Sequence, residues 1–180
     1  QMAYTEYGAD WVINNDADEF WCPKTGTLKS TFQKINKEYN IVAANRYNFV
    51  AVDDTDTPFY QSMIYREKVS LNPLGRPLPP KVAHRGGKAV VIKQGNHSVT
   101  GIDNPKTING LIEILHFPIR SCSQLENKII KGGAAYERNI ELPLSTGKTW
   151  RKLFKEYQQN NNLHDYYQNN FYNAKRLKKE

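Results

Sequence analysis

The chain has 180 residues, a net charge of +7 and a mean hydropathy of -0.71. This length predicts one domain with a core of its own, and the 11 tyrosines and 7 phenylalanines exclude the composition of a disordered chain. No stretch is apolar over the length that crosses a bilayer, and two cysteines are too few for a disulfide framework. We therefore expect a cytoplasmic protein with an anionic partner, which could be nucleic acid, acidic lipid headgroups or a nucleotide diphosphate.

Three carboxylates follow the first predicted strand, after a short N-terminal helix that Gly8 ends. The apolar run Trp11–Ile13 precedes Asp16, Asp18 and Glu19. Residues two apart in an extended chain point to the same side, so Asp16 and Asp18 could direct their oxygens at one point. A hard cation such as Mg²⁺ or Mn²⁺ is the natural occupant, and a solvated acidic turn is the alternative.

The middle of the chain alternates predicted helices and strands. In chain order they are a helix over 28–39, strands over 41–52, 89–92 and 111–115, and a helix over 123–132 that Ser121 caps and Gly132-Gly133 end. Residues 59–70 are ambiguous between helix and strand. The four prolines of 71–80 predict an extended loop of the kind that often closes over a site.

Two histidines follow short β-like runs, as the carboxylates do. His97 ends the Gly95-Asn96-His97 turn after the strand over 89–92, and His116 comes directly after the strand over 111–115. Ligands bind just beyond the carboxyl ends of strands in open α/β sheets. We therefore expect the histidines and the acids to converge at one edge of a sheet.

The C-terminal segment has a different character. Trp150, Phe154 and Tyr157 keep helical spacing, and a final amphipathic helix is predicted over 163–179. We therefore divide the chain into residues 1–144 and a helical extension over 145–180. The last helix could dock on an anionic membrane, but packing against a part of the protein upstream of Gln1 is the simpler interpretation.

Three ordered motifs resemble one enzyme family. The segment D-W-V-I-N-N-D-A-D-E-F-W is similar to the Asp-x-Asp segment of family-2-like glycosyltransferases of the GT-A fold, and the G-N-H turn and the run I-L-H-F-P-I-R-S that starts at Ile114 fit the same family. The resemblance covers about residues 8–139. It implies an α/β fold, in which residues 1–144 form the C-terminal portion of a GT-A mixed sheet flanked by helices. The nucleotide-binding half is then expected upstream of Gln1, and this fragment is expected to be inactive alone.

The resemblance also implies a reaction and a metal. The reaction is transfer of a sugar from a nucleotide-diphosphate donor to a hydroxyl of a glycan or another acceptor. Asp18 is implied as the closest metal ligand, while Asp16 contacts the metal through water or holds the donor ribose. His116 is the first choice to complete the site and His97 the second. One imidazole among oxygen ligands favours Mn²⁺ over Mg²⁺.

Further side chains are candidates for binding and catalysis. Cations that could pair with the diphosphate, or could be ordinary surface charge, are Arg120, Lys128, Lys81 and Arg85. An inverting enzyme needs a general base, and the candidates are Glu19, Asp54 and Asp103. Glu19 could instead support the metal ligands from behind, and the acidic run around Asp54 has the composition of an exposed turn.

Two other classes of function stay open. Aromatic residues interleaved with Lys and Arg near the C-terminus are typical of a basic nucleic-acid-binding module, but carboxylates repel phosphate unless a metal intervenes, so no nucleic-acid partner is expected. A divalent-metal phosphohydrolase could use the same acids, but it needs more metal ligands than the sequence offers. The expected setting is cytoplasmic, with contact at a membrane surface left open.

Overall fold

The structure is a computed structural model that describes residues 1–51, 57–72, 74–160, 163–169 and 177–179. The chain divides into two compact units. The first comprises Gln1–Asn48 and Pro77–His116, and the second comprises Phe49–Arg76 and Phe117–Glu180. The units follow other bounds than the predicted division at residue 145.

The two longest helices lie in the second half of the chain. The helices are α1 (Met2–Thr5), α2 (Leu28–Lys34), α3 (Phe59–Ser62), α4 (Cys122–Arg138), α5 (Lys148–Asn160) and α6 (His164–Asn169). The strands are β1 (Trp11–Ile13), β2 (Glu19–Pro23), β3 (Ile41–Asn48), β4 (Tyr65–Glu67), β5 (Lys81–Arg85), β6 (Val91–Ile92), β7 (Val99–Thr100), β8 (Thr107–His116) and β9 (Leu177–Lys179). The chain is therefore of the mixed α/β class, as predicted.

A five-stranded mixed sheet forms the centre of the first unit. Its order is β1-β5-β3-β8-β2, with β3 and β8 parallel and every other neighbouring pair antiparallel. Strands β1, β3 and β8 therefore run in one direction and end at the same edge of the sheet, where β2 and β5 begin. We call this the polar edge, because Asn48 and His116 end β3 and β8 there, Glu19 and Lys81 begin β2 and β5, and Asn14 follows β1.

The core of the first unit lies on one face of this sheet. Residues opposite each other in the register point to the same face, and so do residues two apart along a strand. This face carries a buried cluster in which α2 covers the strands: Phe32, Ile35, Val42, Ala44, Ala83, Ile112 and Ile114. Helix α2 begins at a capping box, in which Ser30 N–H donates to the Thr27 hydroxyl at 3.1 Å. It ends at Lys34, five residues earlier than the predicted end at residue 39.

Strand β8 is longer than predicted because a bulge lets it continue past a glycine. Its register against β3 shifts between Ala43 and Asn45, so that Ala43 faces Asn109 while Asn45 faces Glu113. Gly110 lies in this shift with φ of 80°, a left-handed conformation that glycine adopts without strain. The strand therefore begins at Thr107 rather than at residue 111.

Helix α4 in the second unit contradicts the predicted helix stop at Gly132-Gly133. The Ser121 cap is confirmed, since its side chain accepts a hydrogen bond from Gln124 N–H at 3.1 Å. The helix then passes through both glycines and ends at Arg138. A Cβ atom at Gly133 would lie 2.2 Å from Cγ of Phe154 on α5. The glycines therefore serve close helix packing rather than helix termination.

The rest of the second unit resolves one open assignment and corrects one prediction. The ambiguous segment 59–70 contains both a helix turn, α3, and a strand, β4, which pairs antiparallel with β9. The predicted helix over 163–179 is wrong at its end, because α6 comprises His164–Asn169 while residues 177–179 form the strand β9. The predicted helix around Trp150 is confirmed as α5. In the part of the chain that the structure describes, no helix combines the length and the apolar character needed to span a bilayer.

Candidate functional site

At the polar edge, the face of the sheet that carries the apolar core ends in polar side chains. Across it, Glu19 on β2 lies opposite His116 on β8, which lies opposite Asn48 on β3. Lys81 begins β5 opposite Ala44, and Arg46 is two residues further along β3, so both point to the same face. The register alone therefore brings these five polar side chains together at the end of the core.

Asp18 and His116 form the first contact of the site. Oδ2 of Asp18 lies 3.7 Å from Nε2 of His116, and both side chains are mostly buried. The other imidazole nitrogen, Nδ1, is 2.7 Å from Oδ1 of Asn48. Since an amide oxygen only accepts hydrogen bonds, Nδ1 is the donor in this contact, and Nε2 is the ring nitrogen that faces the carboxylate. An imidazole fixed in this way is typical of metal-binding histidines.

Asp16 is held on two sides. Nζ of Lys81 donates to Oδ2 of Asp16 at 2.5 Å, and the amide of Asn96 donates to Oδ1 at 3.2 Å. The two partners differ sharply in exposure, because 2% of the Lys81 side chain and 47% of the Asp16 side chain are accessible. Asp16 therefore faces solvent while its charge is balanced from the interior.

Behind Asp16, Glu19 is fully enclosed between two cations. Its Oε1 lies 3.5 Å from Nζ of Lys81 and 3.4 Å from Nη1 of Arg46, and its side chain is 0% exposed. Arg46 also donates from Nε and Nη2 to the carbonyl of Pro79, at 3.1 Å each. Burial lowers the pKa of Arg46, and the neighbouring Glu19 opposes this shift. We call Asp16, Glu19, Arg46 and Lys81 the interior charge cluster.

The Gly95-Asn96-His97 turn approaches the cluster from a loop. Gly95 and Asn96 both have positive φ, 79° and 58°, and the turn places the Asn96 amide on Asp16. His97 Nδ1 lies 2.9 Å from the carbonyl oxygen of Pro80, to which it donates. Burial is the largest influence on His97 and lowers its pKa, and Arg46 and Lys81 lower it further. His97 is therefore neutral at pH 7 and braces the loop before β5.

The side chains fit a divalent cation only in part. Among the residues that the structure describes, no group of three or more His, Cys, Asp or Glu side chains could hold a metal ion. Asp18 and His116 are a pair, while Asp16 and Glu19 are engaged by Lys81 and Arg46. Mg²⁺-type sites use one or two protein carboxylates and take further oxygens from substrate phosphates and water. A cation at Asp18 and His116 would need such oxygens.

Two predicted site residues lie at the opposite edge of the sheet. Arg85 ends β5, roughly 13 Å along the strand from Lys81, and donates to the carbonyls of Tyr39 and Ile35. The carbonyl of Asp103 accepts from Asn40 at 3.4 Å, just before the start of β3. Both residues lie away from Asp18, because β3 carries its site residues at its far end, so a diphosphate contact for Arg85 and a base role for Asp103 stay predictions without support from this geometry.

The remaining predicted residues are not tested by this geometry. Arg120 and Lys128 belong to the second unit, where Arg120 lies over the ring of Phe59 at 5.0 Å and Lys128 donates to the Pro118 carbonyl at 3.1 Å. Asp54 lies outside the described residues. Glu19 is buried between two cations, which argues against a role as a general base. This position suits its alternative role, in which Glu19 supports the metal ligands from behind.

Sequence reasoning missed Arg46 and Asn48 and did not consider Asn96 separately from its motif. Arg46 and Asn48 alternate with Asn45 and Tyr47 at the end of a predicted strand. Two polar residues on the core side of a strand end are a signal for a buried polar site. The signal can be recognised only once the inward face of the strand is known.

Comparisons with known proteins add no assignment. No protein-family model matches the chain, and no curated protein matches it. Inference about function therefore rests on the site geometry and on the motif resemblance.

Proposed function

We propose that the chain is part of a metal-dependent glycosyltransferase of the GT-A type, which moves a sugar from a nucleotide-diphosphate donor to an acceptor hydroxyl. The observation that carries the proposal is the 3.7 Å approach of Asp18 Oδ2 to His116 Nε2 at the polar edge. These residues come from two of the three motifs that resemble the family and are separated by most of the first unit in sequence. Their meeting supports the chemistry that the resemblance implies.

The chemistry gives each of these groups a role. Departure of a nucleoside diphosphate builds negative charge, and a bound cation supplies Lewis-acid stabilisation of that charge. Asp18 and His116 would hold the cation, and Asn48 fixes the imidazole so that Nε2 faces Asp18. The donor's diphosphate oxygens would complete the ligand set, consistent with only two protein ligands in this unit.

The charge arrangement favours this reaction over the two alternatives. The buried cations, Lys81 and Arg46, face carboxylates of the interior charge cluster, so these two residues are not available to grip a nucleic-acid backbone. A divalent-metal phosphohydrolase that uses the same acids needs a larger group of metal ligands. In the described ranges no such group of ligands is present.

The test is cation-dependent binding of a nucleoside diphosphate. Isothermal titration of the whole protein of which the chain is part, with UDP and with GDP and each with Mn²⁺ and with EDTA, should give binding of one nucleotide only when Mn²⁺ is present. Asp18→Asn should weaken that binding at least about tenfold, because one of two protein ligands loses its charge. Asp10→Asn is the matched control, since Asp10 lies before β1 at the opposite edge, where its carbonyl accepts from Gly86 at 2.9 Å.

Two results would contradict the proposal. Equal nucleotide binding in EDTA would remove the need for a cation. Equal loss of binding in Asp10→Asn and Asp18→Asn would show a general effect of acidic charge rather than a site at Asp18.

A further inference from the structure

Lys81 is buried to a degree that is rare for a lysine, yet it faces an exposed carboxylate. Only 2% of its side chain is accessible, against 47% for Asp16. Lysine is almost never fully buried unless it is paired, and here Glu19 anchors the ammonium group from inside at 3.5 Å. The arrangement fixes a positive charge directly under Asp16.

We propose that Lys81 is a positioning residue that keeps Asp16 from binding the metal, so that the protein binds a cation through Asp18 and His116. This inference rests on the proposed function. It means that the free protein binds the cation weakly and that tight binding requires the donor's diphosphate oxygens. Asp16 then keeps its exposed face for hydrogen bonds to the donor rather than for the cation.

The balance of charge supports this role. Within the interior charge cluster, the charges of Lys81 and Arg46 offset those of Asp16 and Glu19. Both oxygens of Asp16 already accept hydrogen bonds, from Lys81 and from Asn96. A cation would have to displace the ammonium group from Asp16 and leave it buried beside Glu19 and Arg46.

The Gly95-Asn96-His97 turn holds Asp16 from its second side. Asn96 takes φ of 58°, a conformation that is costly for most residues but tolerated by asparagine and glycine. Backbone held in this region often marks a functional constraint. Here it brings one amide onto Asp16 Oδ1, opposite the oxygen that Lys81 holds.

The test is the Mn²⁺ affinity of the full chain without nucleotide, measured from free Mn²⁺ by electron paramagnetic resonance. Asp18→Asn should weaken binding at least about tenfold, whereas Asp16→Asn should change it by less than about threefold, since only a direct ligand contributes strongly. Lys81→Met should tighten binding about tenfold, because it removes a positive charge and releases a carboxylate. The gain should disappear in the double variant Lys81→Met/Asp16→Asn, which a purely structural role for Lys81 does not predict.

A milder variant decides the question if Lys81→Met does not fold. Asn96→Gly removes the amide while glycine keeps the left-handed backbone, and it should tighten Mn²⁺ binding about twofold to threefold. Asn104→Gly is the matched control, because Asn104 also has positive φ, 47°, and its contact with Asn40 is made by its backbone carbonyl. The control should leave the affinity unchanged.

The outcomes separate this inference from the proposed function. If Asp18→Asn weakens Mn²⁺ binding and Asp16→Asn weakens it equally, Asp16 is a direct ligand and the role of Lys81 is refuted, while the glycosyltransferase proposal stands. If Asp18→Asn has no effect, the metal site itself is wrong and both fail. If neither Lys81→Met nor Asn96→Gly tightens Mn²⁺ binding, the proposed role of Lys81 is also refuted.

Discussion

The substitution Glu19→Gln tests whether Glu19 holds the interior charge cluster together or acts as a general base. Glu19 is 0% exposed, and its Oε1 lies within 3.5 Å of both Lys81 and Arg46. Removing one partner from a buried ion pair costs about 3–5 kcal/mol, since the remaining charge stays buried without compensation. Each cation keeps a second partner here, Lys81 on Asp16 and Arg46 on the Pro79 carbonyl. We therefore expect the low end, about 3 kcal/mol.

A loss of about 3 kcal/mol lowers the thermal midpoint of a chain of this size by roughly 6–12 °C. Circular dichroism melting of the parent and of Glu19→Gln measures this shift. The matched control is Glu38→Gln, the same substitution in an exposed pair in which Lys106 lies 3.0 Å from Glu38. The control should leave the midpoint where it is, because exposed ion pairs are screened by solvent and contribute little.

One result would refute this reasoning directly. If Glu19→Gln melts within about 1 °C of the parent, which corresponds to less than about 0.5 kcal/mol, the buried pairs contribute nothing. Loss of sugar transfer by the whole protein of which the chain is part, in a variant of unchanged stability, would then favour the base role for Glu19 over its role in the cluster.

Three further predictions concern other parts of the chain. Gly133→Ala should lower the thermal midpoint, because the clash with Phe154 costs about 1–3 kcal/mol against a gain of about 1 kcal/mol in helix propensity. Burial lowers the pKa of His97 below its ordinary 6.5, so the unfolded chain binds the proton at a higher pH than the folded chain does. The free energy of unfolding, measured by urea denaturation, should therefore fall as the pH drops below 6.5, and it should fall less steeply in His97→Gln. Asn48→Ala should weaken Mn²⁺ binding about 10–100-fold by releasing the His116 imidazole, in Mn²⁺ titrations of variants with unchanged circular dichroism.

The convergence of acids and a histidine was predictable because it depends on strand direction and strand ends. An apolar run followed by acids and another followed by His116 need only run the same way to meet at one edge, and β1 and β8 do. Asp103 was a candidate base as a carboxylate and not from a strand end. It lies at the opposite edge because it precedes β8, whose start at Thr107 was missed since Gly110 permits a bulge inside the strand. A glycine in a strand pattern signals a bulge only after the pairing strand is known.

Other errors arose where a residue's role depends on a distant partner. Gly132-Gly133 has the composition of a helix stop, and only the position of Trp150 and Phe154 on α5 shows that the glycines are a packing surface. Arg85 looked like a phosphate ligand because arginine suits that role. It is instead held by backbone carbonyls and lies over the ring of Trp11 at 4.6 Å. The local sequence indicates which interactions a side chain can make, and the strand register determines which residues it contacts.

The interior charge cluster has a physical cost that argues for a function. Buried ion pairs are often no more stabilising than well-packed apolar residues of the same volume, and the sheet face beside the cluster shows that this protein can build such a core. In addition, Oε2 of Glu19 has no hydrogen-bond donor among the described residues, which leaves a buried acceptor unsatisfied. A sheet edge selected for stability alone would replace these four charges with apolar side chains. These charges lie at the edge where Asp18 contacts His116, and their presence is explained if Asp16 must be held in a fixed orientation beside a cation. The Mn²⁺ titrations of the Lys81 and Asp16 variants test this arrangement.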